Sequence, residues 1–506
     1  MSRQNILIIT IFCIIKLTLH LIADGNSGFQ GDELLHIETG KHLAFGYMEF
    51  PPLIGLFAFI QNLFGSNSVY VHHIFSHLAS LIIIIYVAKI TVELGGKEKA
   101  IILVLLCIII APSFGRSQQL FQPVVFSQLF WVLGFYQLTR FVKHPDNRSL
   151  WYLTLLAVLG ISVKYDAVFY IFGLSALFLF NETRQALVQH RFWQKIIVAL
   201  ALLTPNLIWQ YSNEYPVFQM FSRLYEKHLD QLSRLEVIQD LLISVNPLTT
   251  LMIIIPAIIY SFRKENRTNL PLIIAISLSA TLLSLTNGKS YYFYPIILTI
   301  LPFGALFWEE LIIQKRKWLM YPVFALIFMG VILIPFGMPV YSFDDYLKYV
   351  YKFEKKDIEG GKYGIKYDEY YTKEKWKETM QLLKTVHDSL PIKEKEKTLI
   401  WGKHYGQAGA VNLIGREYNL PKAFSYHGSF YRWAPRGEEM PRTIIALSYR
   451  VGDFFLPYFE EVTLVREIYN PYSENEEELY QRIYICKNPK QNFDQMKELF
   501  KHRIFE

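Results

Sequence analysis

The chain has 506 residues, 52% of them hydrophobic, 16% aromatic and 19% charged, with a formal net charge of +7. Apolar runs recur through residues 1–337 and then stop, which excludes a wholly soluble domain and leaves a polytopic membrane protein with a more polar tail. Its three cysteines, Cys13, Cys107 and Cys486, lie far apart, which excludes a disulfide framework or a cysteine-based metal site.

The first apolar run, Asn5 to Ala23, has no small-residue cleavage site after it and more runs follow, so it reads as a retained first span. Further runs predict about eleven spans in all, at 5–23, 69–92, 98–114, 122–142, 149–163, 165–181, 193–211, 247–262, 269–286, 291–313 and 317–337. Alternate loops are then basic: Lys97 and Lys99; Arg140, Lys143 and Arg148; Arg184, Arg191 and Lys195; Arg263, Lys264 and Arg267; Lys315, Arg316 and Lys317. Lys and Arg are retained on the cytoplasmic side, so the other loops and everything after residue 337 are expected outside. The positive charge is therefore topological, and no nucleic-acid partner is expected.

Between the first two spans lies GDELLHIETGKHLAFGYMEFPPL, residues 31–53. Asp32 to Phe45 has mixed helical periodicity and predicts an amphipathic helix along the membrane surface, with Asp32 as its N-cap. On spacing alone, capping and a solvated polar face is the simpler reading of these acids, and catalysis is the alternative. Pro51 and Pro52 end the loop, and the short run Leu53 to Phe64 reads as interfacial or re-entrant.

Three later stretches carry groups suited to phosphate. Lys164-Tyr165-Asp166 sits between two apolar runs, where a Lys–Asp pair is often a mutual neutralisation. Arg223 and Lys227 follow PNLIWQ; such residues are more often simply solvated. NGKSYYFYP, residues 287–295, places Lys289 beside Tyr291, Tyr292 and Tyr294 at the top of a span. An aromatic belt with a snorkelling lysine is the plain reading, and a cation with phenols around phosphate oxygens is the functional one. GKS is not a P-loop ending, because Leu283 stands where the first glycine is required and no strand precedes it.

After a connector at 338–366, residues 367–389 predict a charged helix. LIWG (399–402), TIIALSY (443–449), VTLVREIY (462–469) and LYQRIYICK (479–487) predict strands. GQAGAVNLIG and Gln491 to His502 predict helices, giving a small α/β domain over 367–506 after a membrane domain over 1–337.

In this order the pieces GDELLHIETGKHLAFGYMEFPPL, VKYDAVFY, PNLIWQ, NPL at 246–248, GKSYYFYP followed by Glu309, HYGQAGAVNLIG and PKAFSYHGSFYRW resemble membrane glycosyltransferases of the protein O-mannosyltransferase and aminoarabinose-transferase type (glycosyltransferase family 39 and relatives, the GT-C fold). The resemblance runs over most of the chain. It implies transfer of a sugar from a polyprenyl phosphate to a lipid, glycan or protein acceptor outside the cytoplasm, by an inverting, multi-pass enzyme of the plasma (inner) membrane. It implies Asp32 as general base with Glu33 beside it, and Tyr47 and Glu49 near the substrate. Lys164, Arg223, Lys289, Tyr291 and Tyr292 become candidates for donor phosphate. Phe50 stands where the aminoarabinose branch has a lysine, and Gln122-Pro123 where many relatives have Pro-Asp.

The chemistry is consistent with these residues. A sugar on a lipid phosphate has a good leaving group, so a general acid is less needed than in glycoside hydrolysis. An acceptor hydroxyl must still lose its proton, and cations must stabilise the departing phosphate. No cofactor or metal is expected. A transporter or lipid-linked sugar flippase is the alternative reading, although transporters place their polar groups near the midplane and these cluster at span ends.

Overall fold

A computed structural model describes residues 1–226, 233–286, 288–314, 316–353, 368–437, 439–449, 452–473 and 478–505. Lys227, Asn287, Lys315 and connector residues 354–366 lie outside them. The chain forms two compact units, one of residues Met1–Leu21, Phe50–Leu53 and His73–Met338, the other of Ile22–Glu49, Ile54–His72 and Pro339–Glu506.

The first unit is helical. Five helices among the described residues are long and apolar enough to cross a membrane: Arg3–Asn26, Ile74–Glu93, Phe192–Ser212, Asn266–Leu285 and Ser290–Leu311. Two bent pairs raise this to seven, Glu98–Ile110 with Pro112–Gln119 at 69° and Arg234–Ser244 with Pro247–Ser261 at 99°. Of the other expected spans, 122–142 is the 21-residue helix Pro123–Lys143, while 149–163 and 165–181 are the shorter helices Asn147–Val163 and Ala167–Phe178. The span expected at 98–114 is therefore broken. Pro112 lacks the N–H that would continue the ladder, and Ala111 before it is extended, at φ −78° and ψ 117°. The carbonyl of Ile110 accepts instead from Asn246 Nδ2 at 3.3 Å, and the same nitrogen donates to Gly330 O at 3.2 Å. Asn246 itself has φ +87° and caps Pro247–Thr249 through Leu248 N. The NPL stretch thus closes one helix break with another.

The second unit holds a five-stranded sheet of order β2-β1-β3-β5-β4: β1 Leu399–Gly402, β2 Ala423–Phe424, β3 Thr443–Ser448, β4 Phe459–Tyr469 and β5 Tyr480–Pro489. β1 runs parallel to β2 and β3, while β5 is antiparallel to β3 and β4. Four strands lie where the alternation of the sequence predicts them; the two-residue β2 is too short to show a period. Trp401 is 1% exposed and anchors the core, with Phe424, Tyr426, Phe455, Phe459 and Phe500 around it.

The expected amphipathic helix Asp32–Phe45 is a shorter one, Gly31–Thr39, and it does not have a solvated polar face. Glu33 through Thr39 are all buried. The chain entering it is pinned in this unit: Gly28 N donates to Thr372 Oγ1 at 2.9 Å and Trp376 Nε1 to Phe29 O at 2.8 Å. The helix packs against Tyr405–Leu413, which follows β1. That approach needs glycine, since a Cβ on Gly409 would lie 2.9 Å from the Leu34 carbonyl oxygen.

Candidate active site

Capping decides what each acid of the 31–53 loop is free to do. The N-cap of Gly31–Thr39 is Gln30, not Asp32: Gln30 Oε1 accepts from Asp32 N at 2.8 Å, and Glu33 Oε2 accepts from Gln30 N at 2.8 Å. Together these form a capping box. Glu33 is wholly buried and serves the helix that carries Asp32. The Asp32 carboxylate has no capping duty. It is half-buried, and its Oδ1 accepts from the Tyr405 hydroxyl at 2.6 Å.

Tyr405 opens the helix that leaves β1. His404 is its N-cap, with Gly406 N donating to His404 Nδ1 at 3.1 Å and His404 N donating to Gln407 Oε1 at 3.0 Å. The Tyr405 ring stacks parallel on His427, 4.7 Å between centroids and 4° between planes, and meets His404 at 4.0 Å. Burial, then the Asp32 charge, push the Tyr405 phenol well above its usual pKa, while burial lowers that of His404.

Glu49 is received by the loop after β2. Ser429 N donates to its Oε1 at 2.7 Å and the Ser429 hydroxyl donates to its Oε2. Gly428 makes this turn with φ +56°, and a Cβ there would fall 1.9 Å from Glu49 Oε1. Burial pushes the Glu49 carboxyl up to about 7, against the Ser429 hydrogen bonds, with the Asp32 charge adding to the rise. Tyr47 is buried and its hydroxyl donates to Thr39 O at 3.3 Å. Glu38 accepts from Asn412 Nδ2 at 3.3 Å and pairs with Lys41, and His42 stacks on Trp433 at 4.4 Å. HYGQAG and SYHGSFYRW thus meet the acidic loop. The sequence singled out both stretches without assigning their residues; the bonds of Tyr405 and Ser429 to the loop span more than 370 positions and leave no local period.

In the first unit, three other motifs converge. Lys164 Nζ donates to Asp166 Oδ2 at 2.6 Å, and Asp166 Oδ1 accepts from Ser127 Oγ at 2.9 Å. The ammonium lies 4.0 Å from the Tyr292 ring centroid and 5.0 Å from that of Tyr291, and the two rings stack at 4.5 Å. Tyr165 donates to Asn206 Oδ1 at 3.2 Å and accepts from Gln210 Nε2 at 2.8 Å, both on the helix of PNLIWQ. The pair is therefore a neutralised one, but set against a phenol cluster. Lys289 is half-buried and caps the turn Ser290–Phe293 that holds both tyrosines. Arg223 lies on an exposed face of Pro216–Leu224 and pairs with Glu226 at 3.3 Å.

A multi-pass helical unit with broken spans, joined in one chain to a small C-terminal α/β region, is a membrane-protein fold of the GT-C type. It is similar to two crystal structures of ArnT from Cupriavidus metallidurans, one in the apo state and one bound to undecaprenyl phosphate, with TM-scores of 0.59 and 0.58. In each case sequence identity is 13%, over 94% of this chain and 97% of that one. The model of the dolichyl-phosphate-mannose-protein mannosyltransferase family matches residues 50–209. No curated protein sequence matches the chain significantly. The resemblance to GT-C glycosyltransferases thus stands on both a family model and a fold.

Proposed function

We propose that the protein transfers a sugar from a polyprenyl-phosphate donor to an acceptor hydroxyl on the extracytoplasmic side of the plasma (inner) membrane. The observation that carries this reading is the Asp32 carboxylate, half-buried, released from capping by Gln30 and held by a neutral phenol at 2.6 Å. Asp32 takes the acceptor proton as the oxygen attacks the anomeric carbon. The bond from that carbon to the phosphate oxygen breaks, and its electron pair leaves on the polyprenyl phosphate, with inversion. A well-placed carboxylate contributes about 10²–10⁴-fold to such a step.

The reading assigns donor phosphate to the first unit, where Lys164, Tyr291, Tyr292 and Lys289 combine cations and phenols. Arg223 belongs to the same assignment. Glu49 and Tyr47 belong to the substrate-binding side of the second unit. Support for a polyprenyl carrier comes from the related fold that binds undecaprenyl phosphate. The basic loops support an extracytoplasmic tail. Sugar and acceptor are left to experiment.

The test is transfer in membranes from labelled polyprenyl-phosphate sugars into lipid, glycan and protein fractions, comparing wild type with Asp32→Asn at matched expression. Loss of transfer with donor still bound supports the base and names the acceptor class. Transfer at the wild-type rate by the variant overturns it. Carrier translocation without any transfer by wild type favours the flippase reading.

A further inference from the structure

We propose that Tyr405 is the positioning residue of the Asp32 base: its hydroxyl fixes Oδ1, so that Oδ2 is the atom presented to the acceptor hydroxyl. The inference rests on the reading of Asp32 as general base. Among the described residues, Tyr405 is the one side chain that hydrogen-bonds the Asp32 carboxylate.

Everything behind that phenol is fixed. Its ring is stacked on His427 and packed against His404. Its helix starts in a capping box and approaches Gly31–Thr39 through Gly406 and Gly409. The donor is thus preorganised, and the carboxylate it meets has two otherwise rotatable oxygens. Because burial and the Asp32 charge hold the phenol well above its usual pKa, it stays a proton donor at any working pH. During transfer Tyr405 keeps its proton. The acceptor proton goes to Oδ2, and the electron pair of the broken bond goes to the phosphate.

A merely structural bond between these segments would affect folding alone. A positioning bond has a second signature, a fall in kcat at unchanged donor KM that a side chain restoring a hydrogen-bond donor partly reverses. The charged and titratable groups around the pair are Glu49 from the loop, His404 and Lys403 before the helix, His427 from the loop after β2, and Lys375 and Glu478 behind His404. None of them changes in Tyr405→Phe, so a kcat deficit in that variant reports the lost hydroxyl.

The experiment uses the full chain in nanodiscs with a polyprenyl-phosphate sugar panel, comparing wild type, Asp32→Asn, Tyr405→Phe and Tyr405→His. Tyr405→Phe is expected to lower kcat about 10- to 100-fold with donor KM unchanged. Tyr405→His, which keeps a ring N–H, should recover part of the rate. Wild-type kcat in Tyr405→Phe, with Asp32→Asn inactive, overturns the inference and leaves the base reading intact. Wild-type transfer by Asp32→Asn removes the base reading and the inference with it.

Discussion

Ser429 donates both its backbone N–H and its hydroxyl to the two oxygens of Glu49, across 380 positions of sequence. The pairing holds a carboxyl group whose pKa burial has pushed up to about 7. A raised carboxyl pKa means that the folded chain binds a proton the unfolded chain has released. Stability from this group is therefore fully present below the unfolded value near 4.5 and is lost as pH rises through about 7. Melting of the full chain should show that fall between about pH 4.5 and 7, amounting to no more than about 2–3 kcal/mol. Glu49→Gln should flatten it. Ser429→Ala, which removes one bond to the charged form, should move the midpoint upward.

Gly428→Ala tests the turn itself. The residue sits at φ +56°, and the added methyl would meet Glu49 Oε1. Strain and displacement together should cost about 1–3 kcal/mol. A melting curve checks the cost, and loss of the pH dependence described for Glu49 checks the displacement.

Lys164 and Asp166 separate folding from binding. Lys164→Met leaves a buried Asp166 with only Ser127 on its carboxylate, which should destabilise the first unit by about 3 kcal/mol or more. Lys164→Met with Asp166→Asn should recover most of that stability. If the ammonium also serves donor phosphate, the double variant should still show donor KM raised by about tenfold or more, since a hydrogen bond to a charged group is worth about 1.5–3 kcal/mol. Donor KM at the wild-type value would leave the pair a structural one.

Gly409→Val addresses how the two helices of the site are kept together. Its side chain would overlap the Leu34 backbone, so the Tyr405–Leu413 helix must back away. The expected result is loss of the Tyr405 contact to Asp32 without any change to either residue. A kcat deficit as large as that of Tyr405→Phe, together with lowered melting temperature, would be its signature.

Much of the fold was legible in the sequence because it follows from local pattern. Apolar runs became helices, and alternating runs became β1, β3, β4 and β5. Length was less legible. The run at 98–114 has the composition of one span, but Pro112 breaks it, and among the described residues five to seven crossings pass on length and apolarity where about eleven were expected. The candidate site was picked out in the sequence at Asp32, Lys164 and Tyr292, and the structure sets Asp32 against Tyr405 and the Lys164 ammonium over the Tyr292 ring. Its internal roles were not, because a glutamine took the cap that preference rules give to aspartate. Tyr405 and Ser429 were invisible as partners because tertiary contact alone brings them to the loop.

The parallel pairing of β1 and β2 has a further consequence. The chain leaves both strands at the same edge of the sheet, and the two exits carry Tyr405 and Ser429. Crevices beyond the carboxyl ends of parallel strands are where open α/β sheets place their ligands. The antiparallel arm, β4 and β5, contributes neither residue. Its part is a supporting one: Gln481 Oε1 on β5 accepts from Gln407 Nε2 at 3.0 Å, which steadies the capping box from which the Tyr405 helix starts.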